Sequence, residues 1–172
     1  MTFKVMNAQK TVLLNLHNTR QDFQLLNKIT GLSGWKASLY FVQRKKVVAF
    51  QEKNDITYGE MATVQDALVK AKAADDSAKK NPNAKTTALL ERNLGMMFIC
   101  PGEVLRRHKV KERNAREVIM PLMCRGLLEL CGYVDGNEIQ RAIFIQKEIE
   151  ILHQVFAETG IVYTPYSCIS YS

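Results

Sequence analysis

A chain of 172 residues can bury one substantial core, or a core with a smaller companion. At 47% hydrophobic and 24% charged residues the composition excludes wholesale disorder, and no apolar run approaches the ~20 residues that a bilayer crossing requires. The formal charge is +7 and the isoelectric point about 9.3, a balance that favours polyanionic partners.

The first residues, Met1 to Asn7, lack the basic-then-apolar layout of a secretory signal. A cytoplasmic, nucleoid-associated location is therefore expected, or a nuclear one in a eukaryote, with no membrane partner. Leu13, Leu16, Phe23 and Leu26 recur at helical spacing and predict a helix over about 8–29, stopped at Thr30-Gly31. Residues 36–43 and 47–51 are β-branched and aromatic, which predicts two strands joined by a basic turn of Arg44, Lys45 and Lys46. Trp35, Tyr40 and Phe41 beside that turn fit either a stacking platform for single strands or simple core use.

Met61, Val64, Leu68 and Ala71 predict a second helix from Glu60 to about Lys80. Residues 75–83 then turn polar and include Pro82, the best linker in the sequence. The chain is divided there into an N-terminal α/β region, 1–80, for dimerisation or sensing, and a C-terminal nucleic-acid-binding domain, 81–172.

In the second half, Leu90, Leu94 and Met97 mark one helix, and Pro101 suits the first turn of the next. Arg106, Arg107, His108, Lys109, Lys111, Arg113 and Arg116 then gather within eleven residues, relieved only by Glu112. Around this cluster Val104, Val110, Ala115, Ile119, Leu122 and Gly126-Leu127-Leu128 keep a single register. That register resembles the winged helix-turn-helix family, over about residues 86–146. In the family a short helix offers a core residue, and a small apolar residue plugs the turn. A second helix buries one face, and a Gly-Leu-type sequence leads into the wing.

The resemblance implies a C-terminal winged helix-turn-helix; with the helices and strands read before the linker, the expected fold is α+β, mostly helical, with a small N-terminal α/β region. It implies that Arg113, Asn114, Arg116 and Glu117 stand at the start of a recognition helix, where side chains reach base edges. Arg106, Arg107, Lys109 and Lys111 would hold phosphates. Residues 127–131 and 139–145 would be wing strands around a turn at 133–137, with Arg141 a minor-groove or phosphate contact. Residues 137–158 can alternatively be read as one long helix, which deletes the second wing strand. Pro121 falls inside the recognition helix, and His108 and Lys109 stand where the family tends to carry an apolar residue and glycine.

The expected function is a sequence-specific DNA-binding transcriptional regulator acting as a homodimer, with duplex DNA favoured over RNA or single strands. The alternative is a structural packaging or single-strand-binding protein, nucleocapsid-like; a third reading is a winged helix used for protein contact. No phosphate loop, nucleophile elbow or metalloprotease motif is present, so no enzyme, cofactor or metal is expected. Cys100, Cys124, Cys131 and Cys168 form no Cys-x-x-Cys pair, and the first three read as buried thiols. His17 and His153 read as helix-packing residues, and Met96, Met97, Met120 and Met123 as core. The aromatic tail from Tyr163 to Tyr171 could complete a sheet, swap into a partner or fray.

Overall fold

The computed structural model describes residues 3–31, 36–54, 61–65 and 93–169. Its elements in chain order are β1 (Phe3–Asn7), α1 (Leu16–Ile29), β2 (Lys36–Phe41), α2 (Arg44–Asn54), β3 (Met61–Gln65), β4 (Asn93–Ile99), α3 (Pro101–His108), α4 (Arg116–Leu130) and α5 (Glu138–Thr159). Short 3-10 turns cover Glu112–Asn114 and Tyr166–Cys168. The fold is α+β, and no described helix is long and apolar enough to cross a membrane.

The strands form one sheet in the order β1-β2-β4-β3. β1, β2 and β4 run parallel, with Val5 opposite Leu39 and Leu39 opposite Met97, and β3 runs antiparallel to β4. One face carries Val5, Leu39, Met97 and Ile99 into a core shared with Phe23 and Leu26 of α1, Leu122 and Leu127 of α4, and Phe144 and Val155 of α5. The other face carries Phe98 and Tyr40, whose rings stack at 5.2 Å, against Val47 of α2. A bulge between Lys36 and Ala37 places an extra residue on β4 beside Gly95. Gly95 takes φ 138, a conformation that glycine reaches without a Cβ clash.

Several segments differ from their expected form, each for a physical reason. Helix α1 starts at Leu16 because Asn15 caps it, its side chain accepting the Asn18 amide at 3.1 Å. Residues 8–12 are held as a loop by buried Gln9, which accepts from the Val12 amide and donates to the Val12 carbonyl. The expected hairpin partner at 47–51 is helical, and Arg44, Lys45 and Lys46 form the first turn of α2 rather than a β-turn. Both edges of β2 are taken by β1 and β4, so no hairpin pairing is open to it.

Residues 61–65, expected as helix, are β3, and the rest of that expected helix lies outside the described residues. Leu94 and Met97 belong to strand β4. A short apolar run of this kind fits a central strand covered on both faces as well as it fits a buried helical turn.

The two segments expected as wing strands are helical. Residues 127–130 finish α4, and 139–145 open α5, the long helix that stood as the alternative. Asn137 initiates α5 by accepting the Gln140 amide at 2.9 Å, and the Asp135-Gly136 pair joins two helices instead of two strands. Pro101 does occupy the first turn of α3 as expected. Pro121 is accommodated inside α4, which continues through it.

The linker at 75–83 lies outside the described residues, yet the chain on either side of it shares one sheet and one core. The division into 1–80 and 81–172 therefore does not separate two cores. Strand β4 from the second half sits between β2 and β3 from the first.

The tail packs on its own chain as far as Ile169: Tyr163 and Tyr166 are buried, and Tyr166 hydrogen-bonds His108 at 2.9 Å. Cys100 and Cys124 are buried as expected, whereas Cys131 is exposed. His17 and His153 are exposed too, not packed. Met97, Met120 and Met123 serve the core, and Met96 faces outward. Tyr40 and Phe41 are packed within the sheet, and Trp35 lies outside the described residues.

A candidate nucleic-acid interface

The basic cluster begins in the last turn of α3. Within that helix Glu103 is three residues before Arg106 and four before Arg107, the spacings that stack side chains on one helical face. Both arginines turn back onto its carboxylate. Arg106 donates through Nε at 3.1 Å and Nη2 at 2.5 Å, and Arg107 through Nε at 3.0 Å. Glu103 is 4% exposed, so this is a buried acid under exposed arginines.

A third guanidinium completes the arrangement: Arg44 Nε, from the first turn of α2, lies 3.9 Å from Glu103 Oε2. Hydrogen bonding from Arg106 holds the Glu103 carboxyl down at about 2, aided by Arg107 and Arg44 and opposed by its burial. One negative charge thus gathers three positive ones from two segments far apart in sequence. Lys45 and Lys46 follow Arg44 in the first turn of α2 and are exposed.

Beyond α3 the chain turns at Lys109, whose φ of 51 makes it the one non-glycine left-handed residue among those described. Its amide returns to the Leu105 carbonyl and closes the helix. Lys111 and Arg113 follow, both exposed, with Asn114 half-buried between Arg113 and Ala115. Arg44, Lys45, Lys46, Arg106, Arg107, Lys109, Lys111 and Arg113 thus lie on two exposed segments, a basic rim joined where Arg44, Arg106 and Arg107 meet at Glu103.

The remaining expected contacts are placed differently. Arg116 turns inward to Asp22 of α1, donating Nε at 2.8 Å and Nη2 at 2.7 Å to the two carboxylate oxygens. Glu117 is exposed in the first turn of α4. Arg141, expected on a wing, stands in the first turn of α5 and pairs with Asp135 at 2.9 Å. Helix α4 itself is covered: every residue from Val118 to Leu128 is buried. Only its first turn reaches the surface at the basic end.

Two important residues escaped the sequence reading. Glu103 could have been found from its spacing to Arg106 and Arg107. Asp22 could not, because it meets Arg116 across a separation of 94 residues. No protein-family model matches the sequence, and no curated protein is significantly similar to it.

Proposed function

We propose that the chain binds nucleic acid through the phosphate backbone, along the basic rim that joins the start of α2 to the end of α3 and the loop after it. The observation that carries this reading is the meeting of Arg44, Arg106 and Arg107 at one buried carboxylate. Glu103 holds Arg106 and Arg107 by hydrogen bonds, lies within ion-pair distance of Arg44, and leaves a net positive edge. Held guanidiniums lose less freedom on meeting a phosphate than free ones do. Lys45, Lys46, Lys109, Lys111 and Arg113 extend the edge as mobile point charges.

Burial of α4 favours a sequence-independent mode, that of a packaging or strand-binding protein. A helix read into a major groove needs one long face in solvent, and α4 offers a single turn. The regulator reading keeps one supporting observation. The pair α3 and α4 is joined by a left-handed turn at Lys109, at the position where the winged helix family tends to carry glycine. In that reading Arg113, Asn114 and Glu117 read bases, and the chain acts as a dimer on two half-sites.

The two readings separate by titration. Unrelated 30-mer duplexes and single strands should bind with affinities within about tenfold of one another, falling steeply with salt as counterions are released. A preference for one duplex of ~10³ or more would instead establish the regulator. Absence of any salt-dependent binding would remove both.

A further inference from the structure

A groove of about 530 Å³ opens between α1 and the first turns of α4, on the inner side of the basic rim. That volume falls within the ~300–1,000 Å³ typical of small-molecule sites. Leu14, Ile119, Met120 and Met123 line its floor, and the two methionines are almost wholly buried. Methionine floors adapt to irregular apolar shapes. Asn15, Asn18, Asp22, Arg113 and Arg116 form the polar wall.

The chemistry of the occupant follows from which polar atoms the fold has already used. Asp22 takes two hydrogen bonds from Arg116, so both its oxygens are engaged. Glu112, at the mouth, accepts the Leu13 amide. Asn15 Oδ1 accepts the Asn18 amide, and Thr19 Oγ1 donates to the Asn15 carbonyl. The acceptors nearest the floor, Asp22 and Asn15 Oδ1, are thus engaged, while Glu112 Oε2 at the mouth and Asn18 Oδ1 on the wall carry no hydrogen bond among the described residues.

The arginine donors of the wall are not all engaged. Arg116 binds Asp22 through Nε and Nη2 alone, which leaves Nη1 and its two hydrogens over. Arg113 has no ion pair or hydrogen bond among the described residues, and the side-chain nitrogen Nδ2 of Asn18 has none either. Spare capacity beside the apolar floor is therefore donating and cationic, on Arg113 and Arg116, and the free Glu112 oxygen lies at the mouth.

We infer that this groove binds a small amphipathic carboxylate, its head on Arg113 and Arg116 and its apolar body on Leu14, Ile119, Met120 and Met123. An ammonium head would be repelled by the two guanidiniums, and a neutral head would forgo the charge-assisted hydrogen bonds that a carboxylate makes with them. Arg113 also belongs to the rim, but the groove is assayed without nucleic acid, so the two readings fail separately.

The test is calorimetric titration of the full chain at matched ionic strength with hexanoate, acetate, hexan-1-ol and hexylammonium. Hexanoate should saturate one site, with acetate and hexylammonium at least about tenfold weaker, the loss expected for a missing charged hydrogen bond or a missing apolar body. Arg113→Gln changes an exposed residue and should weaken hexanoate about tenfold. Asn18→Trp, which fills the groove from its rim, should abolish binding while the thermal midpoint confirms a folded chain. The inference is overturned if hexanoate gives no saturable heat, if hexylammonium binds as well, or if both variants bind hexanoate like the parent.

Discussion

Glu103 is the residue on which the basic edge depends. Its carboxyl is held at about 2, well below its ordinary 4.5, chiefly by Arg106. A depressed carboxylate contributes stability that is present above the unfolded value and lost as pH falls through the folded one. Folding stability should therefore decline between about pH 4.5 and 2, and Glu103→Gln should flatten that part of the profile. At neutral pH the same change should cost about 1–3 kcal/mol, since charged hydrogen bonds to a buried acceptor are lost. Denaturant melts of both proteins at pH 2.5, 4 and 7 check this. Parallel pH profiles would show that Glu103 is not the group being titrated.

Lys109 poses a different problem at the same scale. A side chain in the left-handed region costs roughly 1 kcal/mol, yet a lysine stands there. Lys109→Gly should relieve that strain and raise stability by up to about 1 kcal/mol. The same variant loses a rim cation, so its affinity for nucleic acid should fall at low salt. Stability and binding are expected to move in opposite directions, measured on one preparation by melting and titration. A loss of stability would mean the lysine stem contributes more through packing than its backbone costs.

At the scale of elements, α4 shows why the register in the sequence was misleading. Ala115, Ile119, Leu122 and Gly126 do share an inward face, as the winged-helix pattern requires. But Val118, Met120, Met123, Cys124, Leu127 and Leu128 fill the other faces, and a helix apolar all round is an interior helix. Reading one face of it gave a recognition helix, whereas reading every face gives the centre of the core. The lone cation in this stretch confirms the setting. Arg125 is buried, donates to Glu129, Asp135 and Ser167, and lies 4.7 Å from the Phe144 ring.

Arg125 thereby ties α4 to α5 and to the tail. Arg125→Ala should destabilise the chain by about 1.5–3 kcal/mol, because half-buried Glu129 and Asp135 lose charged hydrogen bonds from a buried guanidinium. Proteolysis of the tail should accelerate in the same variant, since Ser167 loses its anchor. A melting curve like the parent's would show that the tail holds without it.

Strand elements were harder to read than helices for a related reason. β4 carries Leu94, Met96, Met97, Phe98 and Ile99, an apolar run whose threefold and fourfold spacings mimic a helix. Only its pairing with β2 and β3 decides the matter, and pairing is not local information. Helix starts carry a more local signal. Asn15, Pro101 and Asn137 each start a helix by chemistry visible in the sequence, although of the three the sequence reading takes only Pro101 as one.

At the scale of the whole molecule, what the sequence could not reveal was adjacency. The basic turn at Arg44 to Lys46 and the cluster from Arg106 to Arg113 read as separate features, one minor and one major. The sheet order places β2 beside β4, so α2 and α3, which follow those strands, begin at the same edge of the sheet. Two runs of charge thereby become one surface, pinned at Glu103. The same adjacency turns Arg116 inward to Asp22 and removes it from that surface.

The central claim, that cations from α2 and α3 contact the same phosphates, is tested most directly by the salt dependence of binding to one 30-mer duplex. Each phosphate contact adds about 0.9 to the slope of log affinity against log salt. Replacing Lys45 and Lys46 by alanine should lower that slope by about two, matching the loss from replacing Lys109 and Lys111. A slope unchanged by the α2 pair, with the Lys109 and Lys111 pair still effective, would contradict a shared surface and confine binding to the loop after α3.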